Sequence, residues 1–147
     1  MRSDNSSHLI ALVGPPNAGK TTLYNWLTES NFKTVNYPGS TVEFSIGKVA
    51  PRYQRLLSVM DTPGTYSLMP KSPDEEVTLK SIYEGNQGKP VDAVIAVVDG
   101  TQLARHLFLA KQIQSAGFPV VIALTMKDLL EKSKTQLNLV SLSKKVG

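Results

Sequence analysis

The sequence predicts an α/β domain in which a mostly parallel sheet lies between two layers of helices. Two patterns indicate this class: short apolar strands alternate with helical segments along the chain, and most of these strands are apolar on both faces. The length of 147 residues fits a single domain with its own hydrophobic core. We therefore expect one domain over residues 1–147.

The first half of the chain predicts a strand, a helix and a hairpin. Leu9–Val13 is typical of a buried strand, and Lys20–Thr28 predicts a helix with one apolar face. Thr41–Val49 alternates in polarity as a strand does, and a turn at Pro51–Gln54 leads into a second strand at Leu56–Met60. A hairpin makes this pair antiparallel, which adds one antiparallel edge strand to the sheet.

The second half begins with a strong helix start. Ser72-Pro73-Asp74-Glu75 combines a serine N-cap, a proline at the first helical position and a capping box, so we expect a helix to Glu84 that stops at Gly85–Gly88. The remaining predicted elements are the buried strands Ala93–Val98 and Val120–Leu124 and the helices Gln102–Ala116 and Val140–Val146. The chain ends where the alternation requires a further strand and helix, so we expect a C-terminally truncated domain.

Composition and charge restrict the possible classes. No cysteine is present, which excludes disulfides and cysteine-ligated zinc sites. The longest apolar run is far shorter than the roughly 18 residues of a membrane span, and Met1–His8 is too polar for a secretory signal, so we expect a soluble, cytoplasmic segment. The net charge of +4 suits a polyanion, but scattered basic residues favour ordinary solvated surface. The exception is a loose C-terminal cluster of Lys127, Lys132, Lys134, Lys144 and Lys145.

A glycine-rich loop follows the first strand and opens the first helix. Its sequence, GPPNAGKT, matches G-x-x-x-x-G-K-[ST], the P-loop, in the strand–loop–helix context that this motif requires. Backbone N–H groups and the helix N-terminus attract phosphate, Lys20 is expected to reach the β and γ phosphates, and Thr21 to bind Mg²⁺. The predicted phosphate-binding residues are Gly14, Pro15, Pro16, Asn17, Ala18, Gly19, Lys20, Thr21 and Thr22.

A second candidate motif ends the predicted strand of the hairpin. It consists of Asp61, Thr62, Pro63 and Gly64. An acid at this end of a strand near a P-loop is placed to hold Mg²⁺ through water, and the Gly64 N–H is placed to contact a γ-phosphate. An ordinary Asp-Pro-Gly turn is the alternative, which the neighbouring P-loop disfavours.

A threonine loop, Asn36-Tyr37-Pro38-Gly39-Ser40-Thr41, precedes the hairpin. In a γ-phosphate sensor the Thr41 hydroxyl would complete the Mg²⁺ shell, and its backbone would orient the attacking water. Spacing alone supports equally a threonine that merely enters a strand. The loop residues predicted to bind nucleotide are Gly39, Ser40 and Thr41.

The tetrapeptide Thr125-Met126-Lys127-Asp128 follows the strand at Val120–Leu124. Asp128 is able to accept hydrogen bonds from the N1–H and 2-amino group of guanine, and the stem of Lys127 is able to lie along the base. An aspartate at a helix start is more often a cap, so this motif alone is a weak signal.

In this order, the motifs resemble those of the translation-factor-related small GTPases. Within that class, the sequence from Leu9 to Gly147 is similar to the N-terminal G domain of the bacterial ferrous iron transporter B family. The stretches that carry the resemblance are GPPNAGKTTLYNWLT, NYPGSTVE, DTPGTYSL and LARHLFLAKQIQSAGFPVVIALTMKD.

The resemblance implies a three-layer P-loop GTPase fold and slow, Mg²⁺-dependent hydrolysis of GTP to GDP. It implies a regulatory domain at the cytoplasmic face of the bacterial inner membrane. It also implies a helical regulatory domain and a transmembrane permease further along the polypeptide. For the whole protein it implies a homo-oligomer in the membrane, and no nucleic acid partner is expected. The alternatives are a soluble ribosome- or tRNA-associated GTPase, for which the lysine cluster would be an RNA surface, and a P-loop ATPase.

The resemblance also suggests residue roles. In related GTPases an asparagine at the place of Asn17 helps to bind K⁺ against the phosphates; an asparagine that only stabilises the loop is the alternative. Thr65, and not a catalytic glutamine, follows Gly64. Hydrolysis is therefore expected to depend on Thr41, Gly64, Asn17 and cations. The family has asparagine where this chain has Thr125, and that asparagine ties the base-binding segment to the P-loop. We expect its replacement by threonine to remove the tie and weaken nucleotide binding.

The histidines and large aromatic residues predict no further site. His8 and His106 are far apart in sequence and lack metal-type partners, so both are predicted at the surface. Tyr24 and Trp26 lie on one predicted helix, where packing or an interface is the favoured role.

Overall fold

The computed structural model of the chain describes residues 7–30, 32–85 and 87–147, with Phe32 described by its backbone alone. Met1–His8, the polar segment that was predicted not to be a secretory signal, lies largely outside these residues. The strands are β1 (His8–Val13), β2 (Phe32–Asn36), β3 (Glu43–Lys48), β4 (Leu57–Asp61), β5 (Ala93–Asp99) and β6 (Val120–Thr125). The helices are α1 (Lys20–Thr28), α2 (Pro73–Glu84), α3 (Leu103–Ser115), α4 (Lys127–Lys132) and α5 (Leu139–Val146).

The strands form one sheet in the order β2-β3-β4-β1-β5-β6. β1 pairs in parallel with β4 and β5, and β5 pairs in parallel with β6. β3 is antiparallel to both of its neighbours, β2 and β4. The mostly parallel α/β fold and its antiparallel strand are therefore confirmed.

β2 was not predicted, and it occupies the edge of the sheet beyond β3. Its sequence, FKTVN, contains only two apolar residues, Phe32 and Val35, and Val35 is exposed. Pairing with β3 therefore defines this strand, because its hydrophobic pattern is too weak to do so.

Buried residues of β1 point alternately to the two faces of the sheet. Leu12 packs with Tyr24 of α1 and Val59 of β4, whereas Ala11 and Val13 pack with a cluster that includes Leu109 of α3. Since successive side chains of a strand point to opposite faces, α1 covers one face and α3 the other. The predicted three-layer arrangement and the inward position of Tyr24 are confirmed, while Trp26 is 62% exposed.

α2 begins as the sequence predicts. The Ser72 hydroxyl accepts from the N–H of Glu75 at 3.3 Å, and the Glu75 carboxylate accepts from the N–H of Lys71 at 2.6 Å, one residue earlier than in a standard capping box. Gly85 caps the other end with a positive φ of 52°.

β6 is only half-buried, whereas the sequence predicts a buried strand. Val121 is 61% exposed, because β6 is the last strand in the sheet and pairs only with β5 among the described residues. α5 confirms the predicted C-terminal helix, with the Asn138 side chain accepting from the N–H of Ser141 at 2.9 Å. Within the described ranges, no helix has both the length and the apolar character needed to cross a membrane.

The prediction that His106 lies at the surface is wrong. His106 is 3% exposed, and its Nδ1 accepts a hydrogen bond from the N–H of Asp99 at 3.1 Å. It shares the buried face of α3 with Leu109, Ala110 and Ile113, at helical spacing. His8, by contrast, is exposed as predicted.

Acid should destabilise the fold through His106. Burial lowers the pKa of His106, and the nearby Arg105 acts in the same direction while Asp99 opposes it. Because the unfolded chain binds a proton near pH 6.5 and the folded chain resists doing so, the free energy of unfolding should fall as the pH drops below about 6.5, by at most about 1.4 kcal/mol per pH unit.

Urea unfolding at pH 7.5 and pH 5.5 measures this effect. His106→Gln should reduce the difference between the two pH values, whereas His8→Gln, at an exposed position, should leave it nearly unchanged. Identical pH dependence in the parent chain and His106→Gln would contradict the assignment.

Candidate functional site

The loop between β1 and α1 has an unusual backbone. Asn17 and Gly19 both have left-handed conformations, with φ of 61° and 101°. Glycine adopts this region without strain, and asparagine tolerates it better than most residues. The loop leads directly into α1, whose first N–H groups have no partner within the helix and give its N-terminus a partial positive charge.

Lys20, Thr21 and Asp61 lie together at this helix N-terminus. Lys20 is 7% exposed, and its Nζ donates to the carbonyl of Pro15 at 3.0 Å. The Thr21 hydroxyl donates to Oδ2 of Asp61 at 2.8 Å. The other oxygen, Oδ1, is buried and accepts no hydrogen bond from the described residues. A hydroxyl beside a carboxylate with one free buried oxygen is a donor set that fits Mg²⁺.

Burial disfavours the charges of this site. It lowers the pKa of Lys20, against the attraction of Asp61. It also raises the pKa of Asp61, against the hydrogen bond from Thr21 and the attraction of Lys20. Because buried charges are costly without partners, an anion near Lys20 and a cation near Asp61 would each be stabilising.

The Asp-Thr-Pro-Gly segment is joined to the P-loop. The Thr62 hydroxyl donates to the carbonyl of Leu12 at 2.8 Å, and the N–H of Thr65 donates to the carbonyl of Gly14 at 3.0 Å. A Cβ atom at Gly64 would lie 2.6 Å from Cγ of Pro16, so only glycine fits this contact. The two predicted phosphate-binding segments therefore form one continuous surface.

Thr125 connects the candidate base-binding segment to the P-loop. Its hydroxyl lies 2.7 Å from the carbonyl of Ala18 and 3.2 Å from that of Val98, and it donates most directly to Ala18. The expectation that the loss of asparagine removes this tie is wrong, because the shorter threonine side chain makes it.

Asp128 does not cap the helix that it enters. Met126 occupies the N-cap of α4 with a φ of 60°, and among the described residues no side-chain hydrogen bond caps this helix N-terminus. Asp128 lies exposed in the first turn, and Lys127 pairs with Glu131 at 3.6 Å. The capping interpretation therefore loses its support, and within the part of the chain that the structure describes the carboxylate has no hydrogen-bond or ion-pair partner.

Thr41 lies on a loop whose neighbouring residues are hydrogen-bonded to one another. It lies exposed in the loop between β2 and β3, where Ser40 Oγ accepts from the N–H of Val42 at 3.0 Å. Within the described part of the chain, no hydrogen bond joins Thr41 to the P-loop or to Asp61. The threonine loop is folded on itself in this structure.

Sequence reasoning missed several residues that hold these loops. The Thr78 hydroxyl donates to the carbonyl of Pro63 at 2.7 Å, and the Tyr37 hydroxyl donates to the carboxylate of Glu84. A polar residue on the buried face of α2 was a usable signal for Thr78. Tyr37 and Glu84 are far apart in sequence, and no local pattern connects them.

A P-loop joined to an Asp-x-x-Gly segment, on a sheet of this strand order, defines the class of P-loop GTPase domains. The chain matches the family Ferrous iron transport protein B over residues 8–147, and it belongs to that family as an N-terminal G domain.

Relatives and solved structures agree with this assignment. The Fe(2+) transporter FeoB of Legionella pneumophila (strain Paris) is 40% identical over 124 residues, which are 82% of this chain and 16% of the relative. That of Salmonella typhimurium is 37% identical over 142 residues, 94% of this chain and 18% of the relative. The chain thus spans less than a fifth of the length of these curated relatives.

Among solved structures, a mutant of S. thermophilus NFeoB bound to mGDP has a TM-score of 0.84 and 39% identity, covering 95% of this chain and 51% of that one. The G domain of the T. maritima FeoB iron transporter has a TM-score of 0.81 and 33% identity, covering 95% of this chain and 82% of that one.

Thr125→Val should remove the hydrogen bond to the P-loop and thereby destabilise the fold. The isosteric change leaves the carbonyl of Ala18 without its side-chain donor, which should lower the free energy of unfolding by about 1–2 kcal/mol. Thr125→Ser keeps the hydroxyl and is the matched control. Denaturant unfolding of the three proteins measures the difference, and equal stability of the valine and serine variants would contradict the role of this hydroxyl.

Proposed function

We propose that this G domain binds GTP and GDP and slowly hydrolyses GTP, and that it regulates ferrous iron transport from the cytoplasmic face of the bacterial inner membrane. The observation that carries the proposal is the buried Lys20 beside a helix N-terminus, with Thr21 and Asp61 bonded to each other next to it. Related domains of S. thermophilus were solved bound to GDP or mGDP, which supports guanine nucleotides as ligands.

Each predicted residue has a role in this proposal. Residues 14–22 and 61–64 would surround the phosphates, with Lys20 neutralising charge. Thr21, Thr41 and, through water, Asp61 would hold Mg²⁺, which neutralises phosphate charge when bound. Asp128 would accept from guanine, Lys127 would lie along the base, and Thr125 would position Met126 and the rest of this segment.

The buried state of Thr65 supports slow hydrolysis. Thr65 is 1% exposed, and its hydroxyl donates to the carbonyl of Ser67 at 2.8 Å. It is therefore already engaged and unsuited to act as a general base. The attacking water would be oriented by the backbone N–H of Gly64 and by Thr41, without a charged side chain.

Asn17 is the proposed contributor of a K⁺ site. Its side chain is exposed and makes no hydrogen bond to the described residues, so its amide oxygen is available to a cation. The left-handed backbone supports the alternative, a residue chosen for loop conformation, equally well. The two roles differ in whether hydrolysis depends on K⁺.

The transporter context comes from the family. The relatives are Fe(2+) transporters several times longer than this chain, which supports further domains on the same polypeptide. We propose that these are a helical regulatory domain and a transmembrane permease, and that the whole protein forms a homo-oligomer in the membrane. Family membership favours this context over a ribosome-associated GTPase, in which the C-terminal lysine cluster would contact RNA.

Lys20→Ala should abolish guanine nucleotide binding while the chain stays folded. Removal of the buried ammonium leaves phosphate charge without its partner, and affinity should fall at least roughly 100-fold. Displacement of fluorescent GDP measures affinity, circular dichroism reports the fold, and Lys48→Ala, at an exposed position, is the matched control. Unchanged affinity in folded Lys20→Ala would overturn the P-loop assignment, and equal displacement by ADP and GDP would favour an ATPase.

Hydrolysis at saturating GTP should increase when K⁺ replaces Na⁺ at constant ionic strength. The leaving diphosphate develops negative charge, and removing one stabilising group typically costs roughly 10²–10³ in rate. Asn17→Ala should eliminate the increase, whereas Asn17→Asp, which keeps an oxygen ligand, should retain part of it. Equal turnover in the two salts would leave Asn17 with a conformational role only.

A further inference from the structure

Helix α2 contacts both of the loops proposed to sense the γ-phosphate. In the middle of the helix, the Thr78 hydroxyl donates to the carbonyl of Pro63, directly before Gly64. At its last residue, Glu84 accepts a hydrogen bond from the Tyr37 hydroxyl, in the loop that carries Thr41. The two loops are therefore connected through one rigid element.

The loop that carries Thr41 is closed on itself around Tyr37. The N–H of Tyr37 donates to the carbonyl of Val42, and the N–H of Ser40 donates to the carbonyl of Tyr37, both at 2.9 Å. The Tyr37 side chain is 9% exposed and packs in a cluster with Phe44, Met60 and Val77. Tyr37 thus anchors the loop in a position in which, among the described residues, no hydrogen bond joins Thr41 to the P-loop or to Asp61.

Glu84 occupies a position that a carboxylate does not ordinarily favour. It is the last residue of α2, where the helix dipole disfavours negative charge. The Tyr37 hydroxyl offsets this cost by donating to the carboxylate. Burial and this hydrogen bond raise the pKa of Tyr37 to about 12, so the hydroxyl keeps its proton at neutral pH.

We propose that Tyr37 is a positioning residue for Thr41. The hydrogen bond from Tyr37 to Glu84 holds the threonine loop in the position described above, and this bond breaks when Thr41 moves to a bound triphosphate. The inference rests on the proposed function, since it assumes that Thr41 engages the nucleotide. It makes the Tyr37–Glu84 bond a determinant of how strongly the domain prefers GTP over GDP.

Tyr37→Phe is the informative variant, because it removes the hydroxyl and keeps the buried ring. Without the bond, the free-energy cost of moving the threonine loop out of this position is lower. Affinity for a non-hydrolysable GTP analogue should therefore rise about fivefold, while affinity for GDP stays constant. Glu84→Ala should have the same effect, and the double variant should equal either single variant. Tyr83→Phe, which removes an exposed hydroxyl from the same helix, is the matched control.

Hydrogen exchange of the nucleotide-free chain tests the restraint without any ligand. The amides of Tyr37 and Ser40 should exchange faster in Tyr37→Phe, and those of β1 should not change. Calorimetry with GDP and the analogue then tests the link to nucleotide. A change in melting temperature with an unchanged affinity ratio would show that Tyr37 is only a core residue and overturn the proposal.

The remaining outcomes separate the two proposals. Faster exchange with an unchanged affinity ratio shows that the bond survives nucleotide engagement, which overturns the proposed role of Tyr37 and leaves the GTPase function intact. Failure of the parent chain to bind either nucleotide overturns the proposed function, and the role of Tyr37 with it.

Discussion

The parallel pairing of β1 with β4 is the constraint on which the candidate site depends. It sets Leu12 opposite Asp61, so that the carboxyl ends of both strands reach the same edge of the sheet. The P-loop leaves β1 at that edge, and Lys20 and Thr21 meet Asp61 there. Because side chains alternate along a strand, a slip of one residue in this register would turn Asp61 to the other face and dissolve the site.

Threonine hydroxyl groups hold the loops around this edge. Thr62, Thr78 and Thr125 each donate to a backbone carbonyl of a different segment, at 2.7–2.8 Å. Buried carbonyl groups need donors, and a short hydroxyl supplies one without bringing a charge into the site. The P-loop, the Asp-Thr-Pro-Gly segment and the start of α4 are thereby held as one unit. The threonine loop is attached elsewhere, through Tyr37 to the far end of α2.

This division places the proposed phosphate-binding groups and the proposed γ-phosphate sensor under different restraints. The P-loop follows β1, in the middle of the sheet, and is hydrogen-bonded to the segment after β4 and to Thr125 at the end of β6. The loop of Thr41 connects β2 and β3, at the edge of the sheet, and its anchor is the hydrogen bond from Tyr37 to Glu84. A rigid binding surface beside an independently anchored loop is the arrangement that a nucleotide-dependent switch requires.

The amino-acid sequence alone determined the class of fold, most of the elements and the candidate motifs. Strong local signals carried these predictions: the apolar runs of β1 and β5, the serine and proline that start α2, and the glycine-rich loop before Lys20. Each depends on neighbours in sequence, since hydrophobic periodicity, capping and left-handed backbone are local properties. The family resemblance rests on the same motifs, and the family match over residues 8–147 confirms it.

Only the tertiary structure decided the elements and contacts that depend on distant partners. β2 exists because β3 pairs with it, and the hydrogen bond that the buried His106 accepts from the N–H of Asp99 is formed only in the folded chain. Thr125 reaches Ala18 across 107 residues of sequence, so the sequence did not reveal that threonine makes the tie expected of asparagine. A hydrogen bond between residues that far apart has no local signature, because chain folding, and not sequence spacing, brings its donor and acceptor together.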